Sequence, residues 1–138
     1  MKLKQKWTIS NRFALGLFLT CLVVIVTKYV PGWGDLPRTL ELWLGSDHHL
    51  HAVVGFCLTV ALATLTAINS CSISRQLLFF LVLLALYGVD ELVQLWVPHR
   101  QFSGEDFGAS ATGWAVAVFS WLILPRLARV STRLLNKQ

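Results

Sequence analysis

Four long apolar runs constrain this chain more than anything else in it. They lie at 13–30, 50–68, 77–97 and 109–125 and take up more than half of the 138 residues. Runs of this length, at about 1.5 Å per residue, each span roughly 26–32 Å, the thickness of a bilayer's hydrocarbon core. Lipid offers no hydrogen-bond partners, so a crossing segment must satisfy its own backbone, as a helix does. The expectation is an all-α, polytopic membrane protein, one domain over 1–138, with its four transmembrane helices in a bundle. The 109–125 run is the most diluted, by Ser110, Thr112, Gly113 and Ser120. Hydrophobic residues make up 55% of the chain and charged ones 14%, against about 25% charged in soluble domains. That balance argues against disorder and against an ordinary soluble enzyme. Three cysteines at 21, 57 and 71 form neither a disulfide framework nor a CxxC knuckle, and no cofactor or resident metal is expected.

Lys2, Lys4 and Lys6 precede the first run as they would in a signal peptide. No small-residue cleavage site follows; the chain continues through Thr27, Lys28 and Tyr29, so the run is read as a retained helix. The remaining charge pattern sets an orientation. Lys2, Lys4, Lys6, Arg12, Arg75, Arg126, Arg129, Arg133 and Lys137 fall on one side, and Lys28, Arg38 and Arg100 on the other. The positive-inside rule then puts both termini and the 69–76 loop in the cytoplasm. The net charge of +5 is thereby read as topology, with membrane lipids rather than nucleic acid as partners. The carboxylates segregate oppositely. Asp35, Glu41, Asp47, Glu105 and Asp106 lie in or beside outer loops, and Asp90 and Glu91 in the outer half of the third run. Trp33, Trp43, Trp96 and Trp114 are expected near the outer interface and Trp7 near the inner one, with Trp121 deeper, in packing. The 33–45 stretch reads as an interfacial segment, and 126–138 as a short basic helix on anionic lipid heads.

Three segments carry chemistry. Tyr87, Asp90, Glu91 and Gln94 follow i, i+3, i+4, i+7 and share one helical face. Two carboxyls inside an apolar segment cost at least ~2.5 kcal/mol each and mark function more often than accident. The second run opens with Ser46-Asp47-His48-His49-Leu50-His51. Asp47 and His51 sit four apart, a spacing that suits a metal or an Asp orienting a His. Ser46 also fits an N-cap, with Asp47 in a favourable first turn. In the 98–108 loop, Arg100 follows the carboxylates, and Ser103 to Asp106 fits a capping box for the last helix. Below it, Asp106, Ser110, Gly113 and Ala117 form a small-residue face suited to close packing. All three segments fall at one depth, so a compact bundle brings them to one pocket.

In these residues the chain resembles the VanZ-like family of small bacterial membrane proteins, named for a teicoplanin-resistance protein. The family pattern is Asp-Lys-x-x-His opening one helix, then Asp-Glu-x-x-Gln and Pro-x-Arg, then an Asp before a last helix with an Asn and a Gly. Here these are Asp47 to His51 with His48 at the Lys position, Asp90 to Gln94 intact, Pro98-His99-Arg100, and Asp106 with Gly113. Ser110 stands at the Asn position, and Gly55 where a Tyr is common. The likeness covers roughly 40–118. It implies a protein of the bacterial cytoplasmic membrane linked to teicoplanin susceptibility, without a settled biochemical mechanism.

The residues themselves suggest an outward polar site for an anionic, lipid-linked envelope ligand. Arg100, with Gln94, Asp106 and Ser110, would hold the anion. Asp90 and Glu91 would share a proton, and Asp47 would orient His51 for proton transfer. Three alternatives stay open: a metal-assisted hydrolase using Asp47, His48, His51 and a third-run carboxylate; a proton or ion conductor; and a non-catalytic scaffold whose polar cluster only locks helices together.

Overall fold

The computed structural model describes residues 9–97 and 101–135, with side chains as far as residue 125. The fold is all-helical, without a strand among the described residues. It comprises α1 (Ile9–Tyr29), α2 (Asp35–Leu44), α3 (Asp47–Leu65), α4 (Ile73–Val93) and α5 (Gly104–Leu135), with 3-10 turns at Ile68–Ser70 and Gln94–Trp96. Four of the five helices are long and apolar enough to cross a membrane.

Each apolar run became one of these four helices, with shifted ends. α3 starts at Asp47 because Ser46 caps it: its Oγ accepts the His49 N–H at 3.2 Å. The side chains of Asp47, His48 and His51 are therefore helical neighbours. α4 stops at Val93, and a 3-10 turn carries the chain to Trp96. α5 starts five residues before the apolar run, where Ser103 Oγ accepts the Asp106 N–H at 3.2 Å. At its other end α5 continues through Pro125 to Leu135. The tail is thus an extension of the last membrane-length helix rather than a separate one; its basic side chains, like Lys2, Lys4, Lys6 and Trp7, lie outside the described residues.

α2 is short and two-faced. Pro37 is buried, whereas Leu42 and Trp43 are exposed. Gly45, at φ +89°, ends the helix in a left-handed cap, a conformation that costs glycine little. His49 Nδ1 lies 2.8 Å from the Leu44 carbonyl and closes the same turn.

α3 is the central element, packed on α5 over most of its length and on α1 at its other flank. Glycine makes the α3–α5 approach possible. A Cβ at Gly113 would overlap the Ala52 carbonyl oxygen, and one at Gly55 would sit 2.5 Å from the Ser110 carbonyl oxygen. The small-residue face expected on the last helix is the buried one: Asp106, Ser110 and Ala117 are all buried there. Without a hydrophobic force between helices in lipid, such backbone proximity supplies the packing. In the half of the molecule remote from Asp47, Ala63, Ile68, Phe80 and Leu83 make a core with Trp114 and Trp121 against it. The Trp114 indole donates to the Phe80 carbonyl at 2.9 Å. Trp114 therefore ties α5 to α4 and departs from the expected interfacial belt, because an indole N–H buried between helices finds a backbone acceptor. Trp33, Trp43 and Trp96 are exposed at the helix ends, and Trp121 packs as expected.

The outer faces are apolar. On α4, Leu78, Leu81, Val82, Leu86 and Val89 are exposed, opposite a buried stripe of Phe80, Leu83, Tyr87, Glu91 and Gln94. A soluble protein of this size rarely shows so continuous an apolar surface; lipid contact accounts for it.

Candidate functional site

The end of α1, the start of α3, the end of α4 and the start of α5 meet at one end of the molecule. At their centre is His51, which is 5% exposed. Its Nε2 lies 2.7 Å from Lys28 Nζ on α1, 3.4 Å from Asp47 Oδ1 one turn back on α3, and 3.9 Å from Asp106 Oδ2 on α5. Its Nδ1 faces Ser110 Oγ at 3.3 Å and Glu91 Oε1 at 3.7 Å. An ammonium has donors only, so with Lys28 charged Nε2 accepts. The ring proton then sits on Nδ1 and points at Ser110 and Glu91.

The partners of His51 are themselves fixed. Glu91 is 2% exposed and accepts from Gln94 Nε2 at 2.9 Å through Oε1, while its Oε2 is buried with no hydrogen-bond partner. Asp47 Oδ1 is likewise buried and lacks a hydrogen bond. At the rim, His48 Nε2 spans to Glu105 Oε2 at 3.2 Å and Asp106 Oδ1 at 3.6 Å, in a water-exposed position. One turn deeper, the Tyr87 hydroxyl donates to the Gly55 carbonyl at 3.0 Å and lies 2.9 Å from Thr59 Oγ1. Every buried hydroxyl on this level thus has a partner, as a low-dielectric interior requires.

The expected gathering of residues holds for Asp47, His51, Glu91, Gln94, Asp106 and Ser110. Arg100 lies outside the described residues, and so does the expected anion clamp it would supply. Two expected roles come out differently. Asp90 and Glu91 do not pair with each other. Asp90 Oδ1 accepts from the Tyr29 hydroxyl at 2.6 Å, and the same hydroxyl lies 3.1 Å from the Asp90 carbonyl. Successive helical positions point about 100° apart, which sends Glu91 inward and Asp90 toward α1. Ser103 caps α5, but Asp106 turns its carboxylate toward His48 and His51 instead of only completing a capping box.

The residue missed by sequence reasoning is Lys28. It is 7% exposed and makes the shortest contact to His51. A lone lysine at a helix end reads as a snorkelling flank charge. The available signal was its place on the buried α1 face with Ala14, Cys21 and Val24, at helical spacings of seven, three and four.

Two cavities reach this cluster. One, of about 200 Å³, is a cleft between α1 and α4 lined by Val24, Ile25, Leu58, Leu83 and Leu86, with Lys28, His51 and Asp90 on its wall. α1 and α4 have no close backbone approach, and the Tyr29–Asp90 bond bridges them. The other, of about 520 Å³, is polar and open to solvent; Asp47, Glu105 and Asp106 line it with residues 101–104. Comparison of the chain with protein-family models, with curated proteins and with solved structures found no match.

Proposed function

We propose that this chain is a multi-pass protein of the bacterial cytoplasmic membrane, of VanZ type, whose polar cluster takes the head group of an anionic, lipid-linked envelope molecule at the outer face. The observation that carries this reading is the apolar α1–α4 cleft with an ammonium and an imidazole on its wall. An amphiphile needs those two surfaces side by side: hydrocarbon lining for its tail, and a cation with hydrogen-bond donors for its phosphate or carboxylate. Both termini are cytoplasmic in this reading. The basic residues of the 69–76 loop and tail then lie at the end opposite the cluster, and α2 lies on the outer interface with Leu42 and Trp43 toward lipid. An effect on teicoplanin susceptibility is the corollary of the family likeness.

The test is lipid retention by the full chain after gentle detergent extraction, read by native mass spectrometry. Phosphatidic acid, a polyprenyl phosphate and the uncharged diacylglycerol are offered at equal concentration. The phosphate-bearing lipids should be retained over diacylglycerol, and Lys28→Ala or His51→Ala should abolish the preference. Equal retention of all three by the unaltered chain would refute the reading.

A proton or ion conductor is the less favoured reading. From Thr59 to the far end, the described interior is the apolar core around Phe80 and Leu83, with no ionisable chain leading across it.

A further inference from the structure

We propose that Asp47, His51 and Asp106 form a seat for one divalent cation of the Mn²⁺ or Zn²⁺ kind, and that the Lys28 ammonium is the alternative occupant of the same seat. One oxygen from each Asp and one nitrogen from His51 lie within 4.8 Å of one another. Two metal–ligand bonds of about 2.1 Å subtend about 3.0–3.4 Å between donors. The His51–Asp47 separation of 3.4 Å already meets that, and His51–Asp106 at 3.9 Å needs a shift of about half an ångström. Two carboxylates and an imidazole suit Mn²⁺ or Zn²⁺ better than a soft, thiolate-seeking ion.

The surroundings of His51 and Asp47 point the same way. Metal-bound histidines carry their other ring N–H toward a carboxylate or a comparable acceptor, which fixes tautomer and ring orientation. His51 Nδ1 faces Ser110 Oγ and Oε1 of the buried Glu91, while on the Nε2 side Asp47 Oδ1 is a buried oxygen without a hydrogen-bond partner. Nε2 is the ring nitrogen that lies near both Asp47 Oδ1 and Asp106 Oδ2. Lys28 Nζ lies 2.7 Å from the same nitrogen. A single lone pair serves one acceptor role at a time, so metal and ammonium exclude each other. The polar cavity lined by Asp47, Glu105 and Asp106 gives a hydrated cation its way in, and its acidic wall concentrates cations.

Charge gives the exchange a purpose. Asp47 and Asp106 bring two carboxylates to the Nε2 side of His51, where the Lys28 ammonium also makes its contact. A divalent cation offsets the charge of those two carboxylates and releases Lys28 to face the α1–α4 cleft, whose wall it lines, where it and the metal together can meet a phosphate. This use of the seat rests on the head-group reading above; the seat itself does not.

The experiment uses the full chain in phosphatidylcholine nanodiscs, stripped with EDTA and then titrated with Mn²⁺, the free ion being read by its six-line electron paramagnetic resonance signal. One equivalent should bind and be displaced by Zn²⁺. Asp47→Asn and Asp106→Asn should each weaken binding at least tenfold. Lys28→Met should tighten it at least tenfold at unchanged stoichiometry, a gain that misfolding cannot produce. The proposal is overturned by the absence of saturable binding in the unaltered chain, by Asp variants that bind as well as it does, or by a Lys28→Met affinity that does not rise. Binding that appears only in Lys28→Met would make the ammonium a permanent occupant and also overturn it. Loss of Mn²⁺ binding with phosphate-lipid preference intact would reject the seat and leave the head-group reading standing; the converse pattern would reject the reading and leave the seat.

Discussion

Gly113→Ala should loosen the crossing on which the site is built. A methyl at this position would overlap the Ala52 carbonyl oxygen and lie 2.8 Å from both the Ala52 carbonyl carbon and the Phe56 nitrogen. Carbon–carbon contacts settle near 3.5 Å or beyond, so α3 and α5 must part by at least about 0.7 Å. The obstructing atoms are backbone, so no side chain can swing aside. Overpacking of this kind costs about 1–3 kcal/mol. The His51–Ser110 contact, already 3.3 Å long, would stretch past hydrogen-bonding range at a further cost of about 1 kcal/mol. Better helix propensity returns at most about 1 kcal/mol to alanine. The net loss is about 1–3 kcal/mol, which for a chain of this length lowers the melting midpoint by roughly 3–10 °C. Gly108→Ala supplies the control on the same helix, because nothing lies within 4 Å of its added methyl. Melting can be followed in detergent with a thiol-reactive dye, since Cys21 is buried and Cys57 and Cys71 are partly so. If Gly113→Ala melts together with Gly108→Ala and the unaltered chain, the close α3–α5 crossing is wrong.

Three further outcomes follow from the geometry. Tyr29→Phe and Asp90→Asn should be coupled by about 1.5–3 kcal/mol in a double-mutant cycle of thermal stability, because the 2.6 Å phenol–carboxylate bond joins two helices that otherwise stand apart; additive effects would remove the bridge. Trp114→Phe should lose about 1 kcal/mol with the Phe80 carbonyl bond, visible as a lowered midpoint without a change in helical circular dichroism. An unchanged midpoint would place the indole elsewhere. His48→Ala should alter stability by less than about 0.5 kcal/mol, since His48 and Glu105 are both open to water; a larger loss would mean that the rim contact is buried.

Periodicity and length carried the fold into view because lipid leaves a chain few choices. Apolar runs of membrane length had to be helices, and the Ser46 and Ser103 caps were legible from residue type and spacing. The small face of the last helix was legible for the same reason: only small residues at i, i+4, i+7 allow backbones to approach. What could not be read was helix order. Nothing in the pattern says that α3 is central, packed on α5 and α1, or that α1 and α4 stand apart with a cleft between them. Those facts depend on which glycine meets which carbonyl, and Gly55 facing Ser110 is a long-range match without a local signature.

The site divides along the same line. Asp47, His51, Glu91 and Gln94 announced themselves because polar groups at helical spacing inside apolar sequence demand partners. Identifying the partners is another matter, since a carboxylate can be satisfied by an ammonium, an amide or a metal, each from any helix. Lys28 shows the difference. Alone on α1 it is an unremarkable flank charge; only the packing of α1 on α3 turns it inward to His51 Nε2. Asp90 shows the reverse: it is adjacent in sequence to Glu91, yet one residue of helical rotation gives it to Tyr29 on another helix. The neighbouring acids therefore serve two different joints, Asp90 the mouth of the lipid-facing cleft and Glu91 the buried side of His51. A change at Asp90 should act on the cleft, and a change at Glu91 on the imidazole.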